Sequence, residues 1–332
     1  VTDPGTSDAR TAIIIGAPAA ATDRTSMTAD SHETNGIAHA PGTVGRWVLA
    51  IRPKTLPAAV SSVVIGTALA ANGGGFSPGP ALAAFAVALL LQVGSNLAND
   101  VYDAERGTDT EERLGPTRVT HTGLLTASQV KTGMKVVLGL ALAIGLYLTW
   151  VRGPLVLVIG VAAIIAAVAY TGGPYPLGYH GLGELFVFVF FGLTAVVGTY
   201  WVQTGTTTPL VWLMAVPPGL IITAILVVNN LRDIEQDRVA GKRTVAVRIG
   251  VRATRAEYVA CLAGAYLVVS AAVIANALPP ATLAIWLSVP VAWRATHIVL
   301  TTEGRPLNVA LAATGQNALA FSLLFALGLL LG

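Results

Sequence analysis

Long apolar runs, separated by short polar, glycine-rich or proline-rich stretches, make up most of the chain after residue 45. A helix that crosses a bilayer needs about 20 mostly apolar residues. Nine runs approach that length, provided that the first helix starts earlier, near residues 43–51. The runs are 56–71, 80–98, 133–151, 154–170, 184–202, 209–228, 257–278, 281–301 and 311–331. The pattern predicts an all-α, multi-pass membrane bundle of nine transmembrane helices.

The first 45 residues have a different pattern, rich in Thr, Ser, Asp, Gly and Pro. Such a segment cannot bury enough apolar surface to offset the entropy of folding. We therefore predict a disordered N-terminal tail over 1–45 and one transmembrane domain over 46–332. Because the chain begins with Val1 and reaches Met27 soon afterwards, a further hypothesis is that 1–26 lie upstream of the natural start.

Composition supports the membrane interpretation. Hydrophobic residues make up 54% of the chain and charged residues only 11%, whereas soluble domains carry about 25% charged residues. The single cysteine, Cys261, lies inside an apolar run and cannot form an internal disulfide. The net charge of +3 is not gathered into a nucleic-acid-binding patch, and no nucleic-acid partner is expected.

The positions of the basic residues predict an orientation. Of 20 Lys and Arg residues, 19 fall on one side of the predicted bundle and only Arg152 on the other. Cytoplasmic loops retain Lys and Arg, so we expect a cytoplasmic N-terminus and an external C-terminus, in a plasma membrane or bacterial inner membrane.

Acidic residues are concentrated in two segments. Outside the tail there are 12 Asp and Glu residues, and nine of them lie at 96–112 or 229–237, each at the cytoplasmic end of a predicted helix. Residues three or four apart share a helix face. One stripe would contain Asn96, Asp100 and Asp103, and a second would contain Asn229, Asp233 and Asp237. Four helices separate the two ends, which suggests a tandem repeat of a four-helix unit facing one cavity.

Paired carboxylates suit Mg²⁺, which commonly joins one or two carboxylates to substrate phosphates. Nearby basic side chains would hold the remaining phosphate charge, and the candidates are Arg118, Arg232, Lys242 and Arg243. The alternatives are ordinary solvated loop charges or a secondary transporter built from helical repeats. Transport carboxylates usually lie near the middle of the membrane, whereas these lie at helix ends.

The motifs NLANDVYDAERGTD and NNLRDIEQDRVAGKRTVAVRIG resemble the two aspartate-rich signatures of the UbiA superfamily of intramembrane prenyltransferases. The second is similar to the version in enzymes that prenylate 1,4-dihydroxy-2-naphthoate for menaquinone synthesis. The segment from Arg52 to Leu56 and the loop YTGGPYPLGYHGLGE, which starts at Tyr170, agree with the same family. The similarity extends from about residue 46 to the C-terminus.

This resemblance implies two four-helix repeats plus one helix, around a cavity open to the cytoplasm and to lipid. It also implies that the Asn and Asp residues of the two signatures bind two Mg²⁺ ions and a polyprenyl diphosphate, with Asp100, Asp103, Asp233 and Asp237 as catalytic and metal-binding residues. Asp109 matches an outlying acid. The expected reaction joins the polyprenyl group to dihydroxynaphthoate with loss of CO₂ and gives demethylmenaquinone. A related acceptor, such as 4-hydroxybenzoate, is the alternative.

Other residues have two interpretations each. Lys54 would hold a carboxylate or the diphosphate, or would extend to the interface as lysines near helix ends do. Tyr170 and Tyr175 would orient a substrate, or would belong to the interfacial aromatic belt. Phe186, Phe188, Phe190 and Phe191 would line a water-poor pocket for a carbocation, or would only pack in the bundle.

Overall fold

The computed structural model describes residues 1, 41–107 and 113–332, and within these ranges it contains helices and no strands. The α-helices are α1 Thr43–Ile51, α2 Leu56–Asn72, α3 Pro78–Glu105, α4 Ala127–Arg152, α5 Pro154–Ala169, α6 Gly183–Val187, α7 Ala195–Thr204, α8 Pro209–Met214, α9 Val216–Arg232, α10 Ile234–Val239, α11 Val245–Ile274, α12 Val289–Thr301 and α13 Leu307–Leu331. The all-α prediction is confirmed. The predicted tail and Asp109 lie outside the described residues, and the division at residue 45 stays a prediction.

Eight helical stretches in the described part of the chain are long and apolar enough to cross a membrane. A ninth apolar helix, α5, lies where the fourth span is predicted but has only 16 residues. Several spans combine shorter elements: α1 continues through a 3₁₀ turn into α2, and α6 continues through a π-helical segment, Phe188–Thr194, into α7. A 3₁₀ segment, Pro280–Ser288, leads into α12.

Local sequence explains several helix ends. Thr126 begins α4 with a capping box, in which its hydroxyl accepts from the Gln129 amide and the Gln129 side chain accepts from the Thr126 amide. Proline follows Gly153 at the first position of α5, where a missing N–H costs no intrahelical bond. Within α11, Gly250 interrupts the helix with a φ of 79°, a conformation that suits glycine.

The helices that lead into the two aspartate motifs each pack along a neighbouring helix. The helix α3, which carries the first aspartate motif, packs along α4, and α9, which precedes the second motif, packs along α11. The C-terminal helix α13 contacts α2, α9 and α12 and contributes Phe321 and Phe325 to the largest buried cluster. This arrangement fixes the ends of α3 and α9 on two sides of one cavity.

Candidate active site

A cavity of about 450 Å³ lies between the ends of α3 and α9. One end is polar and is lined by Asn99, Asp103, Asp233, Asp237 and Lys242. The other end is apolar and includes Phe186, Phe190 and Phe191 together with small and aliphatic residues of α4, α5 and α7. The fourth phenylalanine, Phe188, does not line the cavity and packs against Gly219 of α9. The cavity therefore joins a charged region to an apolar one.

Among the described residues of the first motif, 96–107, Asp103 is the acidic residue that lines the cavity. It is buried and accepts hydrogen bonds from the Tyr179 hydroxyl at 2.7 Å and from Arg118 Nη2 at 2.5 Å. The ammonium group of Lys242 lies 3.8 Å away. Arg118 is also buried, and its second nitrogen donates to the carbonyl of Asn99. Arg118 lines the cavity, and its predicted role in holding phosphate charge stays a prediction.

Asp100, predicted as a metal ligand, does not line the cavity. Its carboxylate is fully buried and accepts from the backbone amides of Val119 and Thr120, at 3.1 and 2.9 Å. Arg52 Nη2 lies 3.4 Å from the same carboxylate. These contacts attach the segment after the first motif to α3, so the geometry supports an anchoring function for Asp100.

Asn96, the other predicted residue of this stripe, lines the cavity, but its amide group is also used internally. Its nitrogen donates to the carbonyl of Ile51 and to the Thr55 hydroxyl, each at 2.8 Å. Asn96 therefore joins the break between α1 and α2 to α3.

In the second motif, Asp233 lines the cavity while Arg232 does not. Arg232 is buried and binds both carboxylate oxygens of Asp233, at 2.8 and 2.5 Å. Its other contacts are Asn229 and Asn308. The prediction that Arg232 contacts the diphosphate directly is not supported, because its donors already hold Asp233 and Asn229 in place.

Asp237 and Lys242 complete the polar end. The ammonium group lies 3.5 Å from the Asp237 carboxylate and 4.6 Å from the centre of the Tyr179 ring. Burial raises the pKa of Asp237 to about 6, Lys242 opposes this shift, and Asp233 and Asp103 add to it. Burial therefore favours the neutral form of Asp237, and the nearby Lys242 offsets only part of this effect.

The remaining predicted residues divide into two groups. Lys54 and Tyr170 line the cavity, as predicted for substrate-binding residues. Tyr175 is 57% exposed and stacks on His180 with ring centres 3.6 Å apart, and it does not line the cavity. Arg243 is exposed and also lies outside the cavity wall. The geometry therefore does not support direct substrate contacts for Tyr175 or Arg243.

Two residues at the polar end were missed by the sequence prediction. The Tyr179 hydroxyl donates to Asp103, and the ammonium group of Lys242 lies over the Tyr179 ring. In the sequence, the only signal for Tyr179 was its position in the tyrosine-rich loop that starts at Tyr170. Asn99 lines the cavity four residues before Asp103. The same spacing of four separates Asn229 from Asp233, so aligning the motifs by spacing would have selected Asn99 in place of Asn96.

The donors at the polar end fit Mg²⁺ only with help from a ligand. Among the described residues, no three Asp, Glu, His or Cys side chains converge on one point as a closed metal site would require. The three carboxylates of Asp103, Asp233 and Asp237 are hard oxygen donors spread along one cavity. Mg²⁺ commonly takes one or two carboxylates and completes its coordination with phosphate and water. The donor set therefore fits metal bridged to a diphosphate.

The fold and the site define an integral membrane protein with an aspartate-lined intramembrane cavity. Residues 59–311 match the sequence profile described as the UbiA prenyltransferase family. The chain belongs to this family, and the predicted membership is confirmed.

Three relatives carry the name 1,4-dihydroxy-2-naphthoate octaprenyltransferase. The Haemophilus influenzae protein is 38% identical and the Escherichia coli protein 40% identical, each over 86% of this chain and over 96% and 95% of their own lengths. The Mycobacterium tuberculosis protein is 39% identical over 86% of this chain and 97% of its own.

Solved structures share the fold. The apo structure of a UbiA homolog from Aeropyrum pernix K1 has a TM-score of 0.61 at 16% identity, covering 87% of this chain and 98% of its own. A UbiA homolog from Archaeoglobus fulgidus, bound to GPP and Mg²⁺, has a TM-score of 0.60 at 15% identity, covering 86% and 99%.

Proposed function

We propose that the protein transfers a polyprenyl group from a polyprenyl diphosphate to 1,4-dihydroxy-2-naphthoate, with loss of CO₂, and forms demethylmenaquinone. The observation that carries this proposal is the 38–40% identity to three dihydroxynaphthoate octaprenyltransferases over 86% of the chain. The two-ended cavity supports it, since the substrate has a charged diphosphate and a long apolar chain.

The polar end is suited to hold the diphosphate. Lys242 and Arg118 contribute positive charge, and Tyr179 and Arg232 fix the orientation of Asp103 and Asp233. Two Mg²⁺ ions would be held by Asp103, Asp233 and Asp237, with the amide oxygens of Asn99 and Asn229 nearby. The ions would offset the charge that builds up on the departing diphosphate. The breaking C–O bond leaves its electron pair on the diphosphate and an allylic cation on the prenyl chain.

The apolar end is suited to protect that cation from water. Phe186, Phe190 and Phe191 line this part of the cavity, and a water-poor site prevents hydrolysis of a reactive intermediate. The electron-rich ring then forms the new C–C bond at the carbon that bears the carboxylate. The bond to the carboxylate breaks, CO₂ leaves, and its electron pair restores the aromatic ring.

The proposal includes a location. With the basic residues on the cytoplasmic side, the polar end of the cavity faces the cytoplasm of a plasma or inner membrane, where water-soluble Mg²⁺ is available. The apolar end then lies at the depth of the surrounding lipid, which supplies the prenyl substrate.

Purified protein in detergent tests the proposal directly. Incubated with Mg²⁺, octaprenyl diphosphate and either dihydroxynaphthoate or 4-hydroxybenzoate, it is expected to give a decarboxylated prenyl-naphthalenediol, identified by mass. Prenylation of hydroxybenzoate alone would favour the alternative acceptor. The transporter alternative loses its support, because the chain belongs to a family of transferases.

A further inference from the structure

One wall of the cavity presents hydrogen-bond acceptors instead of cations. It is formed by Asn230, which is 6% exposed and lines the cavity, and by Glu184 behind it. The amide nitrogen of Asn230 donates to Glu184 Oε1 at 2.8 Å. Next to Glu184, a Cβ on Gly183 would lie 2.9 Å from the Tyr170 hydroxyl, so this wall adjoins Tyr170.

The contact with Glu184 determines which end of the Asn230 amide is available. An ionised carboxylate only accepts hydrogen bonds, so the NH₂ group of Asn230 must point toward Glu184. The carbonyl oxygen, Oδ1, is then the remaining polar atom of a side chain that lines the cavity, and no described protein group donates to it. Glu184 therefore orients Asn230 so that its carbonyl oxygen remains available as a hydrogen-bond acceptor.

The hydrogen-bonding chemistry of Asn230 Oδ1 disfavours the diphosphate as its ligand. Among the described residues, none forms a hydrogen bond with the buried Glu184 Oε2 or with one buried carboxylate oxygen of Glu257 on α11. The carbonyl oxygen of Asn230 accepts hydrogen bonds, and ionised phosphate and carboxylate groups offer it no donor. This oxygen favours a neutral hydrogen-bond donor. An aromatic substrate that accepts the prenyl group carries such a donor in its phenolic O–H.

We infer that Asn230 is a positioning and specificity residue that accepts a hydrogen bond from a ring hydroxyl of the aromatic acceptor, and that Glu184 sets its orientation. This inference rests on the proposed function. Within it, the acceptor binds with a hydroxyl toward Asn230 and its own carboxylate directed away from Glu184. The ring is thereby oriented for attack, and an acceptor lacking that hydroxyl is rejected.

Acceptor binding tests the inference without turnover. Calorimetry with the full chain in detergent would compare dihydroxynaphthoate with its two mono-O-methyl isomers. A site built around a hydroxyl rejects an analogue lacking it strongly, so the wild type is expected to bind one isomer at least ~10-fold more weakly. Asn230→Ala is expected to bind dihydroxynaphthoate more weakly and to lose most of that discrimination. The control Asn317→Ala removes another buried asparagine, outside the cavity wall, and should keep it.

An exchange of donor and acceptor tests the role of Glu184. Asn230→Asp alone places two carboxylates at the 2.8 Å contact and should weaken acceptor binding. Adding Glu184→Gln supplies an amide that donates to the introduced carboxylate in the double variant and leaves one carboxylate oxygen facing the cavity. The double variant is expected to recover both affinity and discrimination between the methylated isomers.

The outcomes separate the inference from the proposed function. Unchanged discrimination in Asn230→Ala, with product still formed by the wild type, would overturn the inference alone. Equal losses of kcat with every acceptor and no change in acceptor binding would also overturn it, since they indicate an effect on the prenyl cation. A wild type that neither binds nor prenylates dihydroxynaphthoate would overturn both.

Discussion

Asp100 and Asp103 lie three residues apart on α3 and have different surroundings. Asp103 faces the cavity, whereas Asp100 binds the backbone of residues 119 and 120. Helical spacing predicts a shared face but not which part of that face a distant loop covers. The regular spacing of four in Asn229, Asp233 and Asp237 was visible in the sequence, and it favours Asn99 and Asp103 as the equivalent pair.

Asp100→Ala is expected to lower stability. It leaves two buried amides and Arg52 without their carboxylate partner, and breaking a buried pair on one side costs about 3–5 kcal/mol. Thermal unfolding in detergent would measure the loss as a lower Tm. A variant with an unchanged Tm but no prenyl transfer would support the original metal-ligand prediction for Asp100.

Asp237→Asn is expected to lower activity without lowering stability, whereas Asp100→Ala is expected to lower stability. The folded-state pKa of Asp237, about 6, is raised above the ordinary value of an aspartate. Its contribution to stability is therefore fully present at low pH and is lost as the pH rises through 6. Asparagine cannot ionise, so this variant should keep or raise the Tm measured in metal-free buffer at pH 7. With Mg²⁺ present, its prenyl transfer should fall about 100-fold or more relative to the wild type. A clear drop in Tm would contradict this account.

At the scale of helices, the apolar pattern predicted the spans better than their ends. The seventh span was predicted to begin at residue 257, yet α11 begins at Val245. The preceding turns contain Arg248 and Arg255, which interrupt the hydropathy pattern. In the structure these arginines donate to backbone carbonyls of His180 and of Val299 and Thr302. Such long-range contacts are not encoded in local hydropathy.

The π-helical segment Phe188–Thr194 packs closely against α9 through Gly192. Its Gly192 lies so close to α9 that an added Cβ would be 2.7 Å from the Gly219 Cα and 3.0 Å from the Ala215 carbonyl oxygen. Backbone atoms cannot yield as a flexible side chain can. The close contact fixes the segment that carries Phe190 and Phe191.

Gly192→Ala is expected to separate the π-helical segment from α9 and to destabilise the protein by about 1–3 kcal/mol, the usual cost of overpacking. The matched control is Gly139→Ala in α4, where an added Cβ meets no atom within 4 Å. The control should be neutral or slightly stabilising, since alanine favours helix over glycine. Equal Tm values for the two variants would refute the close-packing argument.

For the whole molecule, the positions of the charged residues along the chain were more informative than their number. The membrane bundle and the family followed from apolar runs and two motifs, whereas the partners of each charged residue required the fold. Arg152, the base that the sequence predicts on the opposite side, donates to carbonyls of Val202 and Gln203 near the end of α7. Its charge is therefore directed at a helix C-terminus, which favours cations.

Cysteine labelling tests the orientation of the bundle. The native Cys261 is buried, so background labelling should be low. Thr207 and His121 are exposed, in the loop before α8 and in the segment before α4. In intact cells a membrane-impermeant maleimide should label Thr207→Cys, and it should label His121→Cys only after lysis. The reverse result would show the opposite orientation.

The position of Lys242 between Asp103 and Asp237 has a consequence for the resting enzyme. Its ammonium group acts as a tethered counter-ion, which limits carboxylate repulsion when no substrate is bound. The site should then hold its shape without metal. Treatment with a chelator is expected to stop turnover with little change in Tm, and a large drop in Tm would show that metal also serves as a structural support. On this account, Asp103, Asp233 and Asp237 would hold metal only together with the diphosphate, and the metal would supply compensating charge there.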